Sequence, residues 1–172
     1  MDAAFNMNNK KLGRDMLLNA EKHGTLAREQ YGSRKNHQAI TAATNKVLTM
    51  DLLRLRHQAG ALCSNDAKLC YDRVVHSIAA LAMIRQGAPK GAVMSMLKTL
   101  QQSKHKIRTA YGVSERNYGQ HHSPPLQGLG QGNGCAPAGW AVISTPLINL
   151  MRTAGFGFNI LSALSVLLIS FV

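Results

Sequence analysis

Acidic residues are scarce in this chain: 8 Asp plus Glu stand against 20 Lys plus Arg, a formal net charge of +12 in 172 residues. None occurs after Glu115, and beyond Arg116 only Arg152 carries a formal charge. Such an excess favours a polyanionic partner such as nucleic acid or an anionic membrane. Cysteine is sparse too. Cys63, Cys70 and Cys135 are odd in number and contain no C-x-x-C pair, which argues against a zinc site and against a disulfide framework. A reducing intracellular site, nuclear or cytoplasmic, is expected. Met1 to Lys11 have no apolar stretch of the kind that makes a secretory signal. No repeat with a period of tens of residues appears, so a solenoid is not expected.

What is present is a chain with 45% hydrophobic residues, enough for a real core in one domain. Leu12, Met16, Leu17 and Ala20 recur on one helical face and predict a helix over Asn8 to His23, stopped by Gly24. A basic turn, Gln30 to Lys35, leads to a second helix expected over Gln38 to His57. Ala59 to Cys63 is a short apolar run suited to a buried strand that ends at Ser64-Asn65-Asp66. Helices are expected over Tyr71 to Arg85 and Lys90 to Gln102. Lys104 to Tyr111 reads as a strand that Gly112 to Asn117 turns into a hairpin. Gly119 to Gly134 is rich in Gly, Pro, His and Gln and reads as loop outside the core. A further helix follows Pro137 to about Thr153. His57 and His76 read as helix-surface residues, and the pair His121-His122 has no acidic or thiol ligand beside it.

Three short blocks carry chemistry. The first runs from Asn65 through Asp66 and Tyr71 to Val74, with a carboxylate at a strand end and an aromatic residue five positions on. Alone, Asp66 would be a helix cap. The second is Gly128-Leu129-Gly130-Gln131-Gly132-Asn133-Gly134-Cys135-Ala136-Pro137, a glycine-rich loop opening a helix at proline. The third is Glu29-Gln30-Tyr31-Gly32-Ser33-Arg34-Lys35.

Together and in this order, the blocks resemble reverse transcriptases of non-LTR retrotransposons over about Asn8 to Gly157. Residues 65–74 resemble motif A, residues 128–137 resemble motif B (Q-G-x-x-x-S/A-P), and residues 29–35 resemble the Q-F/Y-G-F/S-R block of the fingers. The resemblance implies an α+β, partial right-hand polymerase fold, with fingers-like helices over 1–58 and a partial palm over 59–172. It implies template-directed nucleotidyl transfer, with RNA template and DNA primer as partners and Mg2+ as cofactor. Asp66 would be the catalytic metal ligand, Tyr71 the ring beside the incoming sugar, and Gln131 with Gly132 the loop against the nascent base pair. Arg34 would contact a nucleotide or template phosphate.

The family's motif C, F/Y-x-D-D, has no counterpart, because nothing acidic follows Glu115. Asp72 follows Tyr71 directly and reads as a solvated capping residue. Asp66 by itself would hold magnesium weakly, since two-metal chemistry needs carboxylates from two strands. The chain is therefore expected to be inactive alone, with an unpaired apolar sheet edge and a tendency to self-associate. Two other readings remain: a basic nucleic-acid-binding module without catalysis, and a protein anchored in a membrane by the uncharged run Phe156 to Val172.

Overall fold

The computed structural model describes residues 2–62, 67–117, 127–161 and 164–166. The described chain is mostly helical, with two short antiparallel strand pairs. α1 (Ala3–Lys22) starts five residues earlier than expected because Asp2 caps it, its carboxylate accepting the Phe5 amide at 3.0 Å. Met16 and Ala20 are buried along its inner stripe, with Leu12 and Leu17 packed at its sides. α2 (Ala39–Leu55) buries only Thr49. Ile40, Val47, Leu48 and Leu55 on the same helix are exposed.

α3 (His76–Arg85) and α4 (Lys90–Gln102) are packed on each other across the Gly87 turn. α5 (Ala136–Thr153) lies against both α1 and α3. One core joins Met16 and Ala20 of α1, Ala79 and Met83 of α3, Val93, Met96 and Leu97 of α4, and Ala138 and Val142 of α5. α1 thus shares the core of the helices that follow.

The fit of α1 on α5 depends on two glycines. A Cβ at Gly13 would stand 3.1 Å from Cys135 Cα, and one at Gly134 would stand 2.7 Å from Lys10 Cβ and 2.9 Å from Lys10 Cα. The α1 backbone meets the entry to α5 with only small groups between them, such as Ala138 Cβ, 3.2 Å from where a Gly13 Cβ would stand. Asn6 Oδ1 fixes the approach by accepting the Gly134 amide at 2.6 Å.

Four expectations need correction. Ala59 to Leu62 form no strand and are exposed, and no ladder partner lies beside them among the described residues. α3 begins at His76 and not at Tyr71. The Tyr71 and Val74 carbonyls accept amides from Leu129 and Gly128, so they are not available to close helical turns. The hairpin of β1 (Arg108–Thr109) and β2 (Gly112–Val113) turns at Ala110-Tyr111, ahead of the segment expected to turn it. Finally, the end of the glycine-rich loop belongs to the core: Leu129 is fully buried and Asn133 nearly so.

Near the end of the chain, β3 (Phe158–Leu161) and β4 (Leu164–Val166) pair antiparallel. Among the described residues no helix is long and apolar enough to cross a membrane. A helical anchor over Phe156 to Val172 is therefore not what its described part forms, because that backbone is extended.

Candidate functional site

The two segments that resemble motifs A and B meet, although more than fifty positions separate them. Leu69 takes a left-handed conformation, φ 55°, and the turn it makes carries Tyr71 to Val75 across the end of the glycine loop. The Gly128 amide donates to the Val74 carbonyl at 2.9 Å, and the Leu129 amide donates to the Tyr71 carbonyl at 2.8 Å. Gly128 has φ 94°, and a Cβ there would lie 2.7 Å from both Cα and the carbonyl oxygen of Asp72. Only glycine fits that contact.

His76 clamps the same junction from below. Its Nε2 lies 2.6 Å from the Gly128 carbonyl oxygen, so Nε2 carries the hydrogen and donates it. His76 is 7% exposed, which corrects its reading as a helix-surface residue. Its Nδ1 is buried without a hydrogen-bond partner among the described residues. Composition did not single out this histidine. Its only sequence signal is its place ten residues after Asp66, on a helix whose polar residues otherwise face water.

Beyond Gly128 the loop is braced from inside. Asn133 Nδ2 donates to the Leu129 carbonyl at 2.8 Å, and its Oδ1 accepts the Cys135 amide at 3.0 Å. Leu129 is seated beneath Gly139, where a Cβ would come within 2.7 Å of Leu129 Cδ1 and of Met83 Cε. Gln131 and Gly132 are lifted into solvent at the tip, and nothing lies within 4 Å of the position a Gly132 Cβ would take. Gln131 Nε2 reaches Asp72 Oδ2 at 3.5 Å, a long contact. Asp72 is exposed but caps no helix, since the residue before α3 is Val75.

Tyr71 stands half-buried beside the loop, edge-to-face with Trp140 of α5 at 6.4 Å between ring centroids and 75° between planes. Burial first, and the neighbouring Cys70 second, push its phenol above the ordinary value. At neutral pH it is therefore a neutral ring with a hydroxyl to donate. Cys135, fully buried at the entry to α5, has its thiol pushed up to about 11 by burial.

The third block is built differently from what was expected. Arg34 does not extend toward solvent. Its Nε and Nη2 donate to the two carboxylate oxygens of Glu21 at 2.6 and 2.8 Å, and Nη1 donates to the Ala27 and Gln30 carbonyls at 3.0 and 3.1 Å. Its side chain is 10% exposed. A phosphate would have to displace Glu21 to reach it, so Arg34 is a clasp between α1 and the turn that follows. The Arg34 hydrogen bonds hold the Glu21 carboxyl below its ordinary range, against partial burial that raises it. The rest of the block ties the turn to α5. Gln30 is buried and accepts from Ser144 Oγ at 3.3 Å, the Ala27 amide meets Thr145 Oγ1 at 3.4 Å, and Glu29 pairs with Arg152.

Asp66, the expected metal ligand, lies outside the described residues, as do Cys63, Ser64 and Asn65. Among the described residues no three His, Cys, Asp or Glu side chains gather as a metal site. The junction of Tyr71 to His76 with Gly128 to Gln131 offers a lone exposed carboxylate, Asp72, already facing an amide. These residues alone do not fit a magnesium centre. What they do provide is a glycine loop with an exposed polar tip, docked on the segment that carries the half-buried Tyr71 ring. No protein-family model matches the chain, and neither the curated proteins nor the solved structures contain a match.

Proposed function

We propose that the chain is a segment of an RNA-directed DNA polymerase of the non-LTR retrotransposon type. It would span the fingers and part of the palm of a right-hand fold and be inactive in isolation. The observation that carries the reading is the docking of Gly128 to Gln131 on Tyr71 to His76. A template-directed polymerase needs its metal-binding carboxylate segment and its glycine loop side by side, because both border the incoming nucleotide. Both blocks also contribute to the one core, through Val74 and Leu129, and their contact supports the reading through the order and spacing of the blocks.

In this reading Gln131 and Gly132 lie against the nascent base pair, and Tyr71 stands beside the sugar. A bulky ring there disfavours a 2′-hydroxyl. Asp66, five residues before Tyr71, would be a metal ligand whose partners come from another segment. The bare apolar face of α2 supports a chain that normally packs on further structure. The excess of Lys and Arg also supports the alternative of a nucleic-acid-binding module without catalysis.

The test is photo-crosslinking of labelled dTTP to the purified chain on an oligo(dT)–poly(rA) primer–template with magnesium. Labelling is expected to need the complementary template, to fall several-fold in Gln131→Ala, and to lose its preference over UTP in Tyr71→Ala. Template-independent labelling that ignores both substitutions refutes the reading. Primer extension lost in Asp66→Ala would support the family assignment and overturn the expected inactivity.

A further inference from the structure

The hairpin formed by β1 and β2 has no part in the site described above, and its main packing is one strand on the other. Every residue from Lys104 to Val113 is exposed. The ladder pairs Arg108 with Val113 and Thr109 with Gly112, and the Ser114 amide extends it by donating to the Ile107 carbonyl at 2.8 Å. Thr109 Oγ1 braces the turn by accepting the Tyr111 amide at 3.2 Å. Gly112, at φ 131°, supplies the bend.

Two features of this hairpin point to a ligand. Its stem is basic: Lys104, Lys106, Arg108 and Arg116 have no ion-pair partner among the described residues, and Glu115 is the only carboxylate between them. At its tip stands Tyr111, 102% exposed, as free as in an extended peptide. A tyrosine with no packing role, fixed at the apex of a braced turn, presents both faces of its ring to solvent.

We propose that this hairpin binds single-stranded nucleic acid, with Tyr111 stacking on a base and the stem cations following the sugar–phosphate backbone. A single strand is favoured over a duplex because its bases offer free faces to an isolated ring, whereas a stacked duplex would have to be opened first. A lipid surface fits less well. Ile107 and Val113 point to opposite faces of the ladder, and Thr109, Ala110 and Gly112 flank the tip, so no continuous apolar face is available to enter a bilayer. The proposal needs the nucleic-acid partner of the polymerase reading but none of its chemistry.

The test is fluorescence anisotropy of the full chain with labelled oligo(dT) and with a duplex of equal length. Tyr111→Ala is expected to weaken oligo(dT) binding roughly five- to a hundred-and-fiftyfold, the range for loss of one aromatic stacking contact, and to change duplex binding little. Tyr111→Phe, which keeps the ring, is expected to restore it. Replacing Lys104, Lys106 and Arg108 together by Ala should lower the slope of log K against log salt by about 2. Circular dichroism should be unchanged in each variant, since the substituted side chains are exposed.

Oligo(dT) affinity that ignores Tyr111→Ala, or equal loss on both nucleic acids, overturns the proposal. So does Tyr111-dependent binding to anionic vesicles without oligonucleotide binding. Tyr111-dependent oligo(dT) binding alongside template-independent dTTP labelling would leave the hairpin proposal standing and remove the polymerase reading.

Discussion

Replacing Arg34 separates two roles that one arginine cannot fill at once. The guanidinium makes a two-point bond with Glu21 and holds two carbonyls of the turn, and its side chain is nearly enclosed. Net stabilisation from a charge-assisted hydrogen bond is about 1.5–3 kcal/mol, whereas an exposed ion pair gives about 0.2–1 kcal/mol. Glu21 is 33% exposed, so water recovers part of its solvation when the arginine is lost. Arg34→Ala should therefore cost about 2–3 kcal/mol, and Arg34→Lys, which keeps the charge but loses the fork, about 1–2 kcal/mol. Urea midpoints by circular dichroism, at a common m-value, measure both.

Acid adds a second arm. The folded-state pKa of Glu21 lies below its ordinary 4.5, so the pairing stabilises the fold fully above that value. That stability is lost as pH falls below 4.5 through the depressed value, and the advantage of wild type over Glu21→Gln should shrink in the same window. A midpoint shift under about 0.5 kcal/mol for Arg34→Ala, with weakened oligonucleotide binding instead, would refute the clasp and return Arg34 to the phosphate role.

The junction and the buried thiol give two more expectations. Gly128→Ala puts a Cβ into the Asp72 backbone at a positive φ, so it should cost about 3 kcal/mol or more and expose Trp140 to acrylamide quenching; unchanged quenching would mean the loop does not rest on the Asp72 backbone. In a Cys63→Ser, Cys70→Ser background, Cys135 should react with iodoacetamide at least about a hundredfold more slowly in the folded chain than in urea. Burial raises its pKa from 9.0 to about 11 and closes access as well. Rapid labelling of the folded protein would count against the α1–α5 contact at Gly13 and Gly134.

Helix positions were legible from periodicity because a helix closes its own hydrogen bonds and needs only one apolar face. α4 matches its expected limits at both ends, and Met16 and Ala20 lie on the face that the spacing of α1 marks as inner. The glycine loop was legible as a loop in residue type: Gly128 permits a close approach to the Asp72 backbone and the Leu129 amide meets the Tyr71 carbonyl, while Gln131 and Gly132 stand exposed. Residues whose role depends on distant partners were not legible. His76 looks like any helix histidine until Gly128 presents its carbonyl, and Arg34 looks like a solvated cation until Glu21 turns toward it.

By itself, the sequence determined the basic charge balance, the helical segments and the glycine loop that opens α5, all properties of local pattern. Tertiary structure alone decided where α3 starts, that Leu129 belongs to the core, that Arg34 faces inward, and that Tyr111 stands free. The reason is the same in each case. A carbonyl, a guanidinium or a ring takes whichever partner the folded chain brings within about 3 Å, and the residues on either side of it in sequence carry no record of that partner.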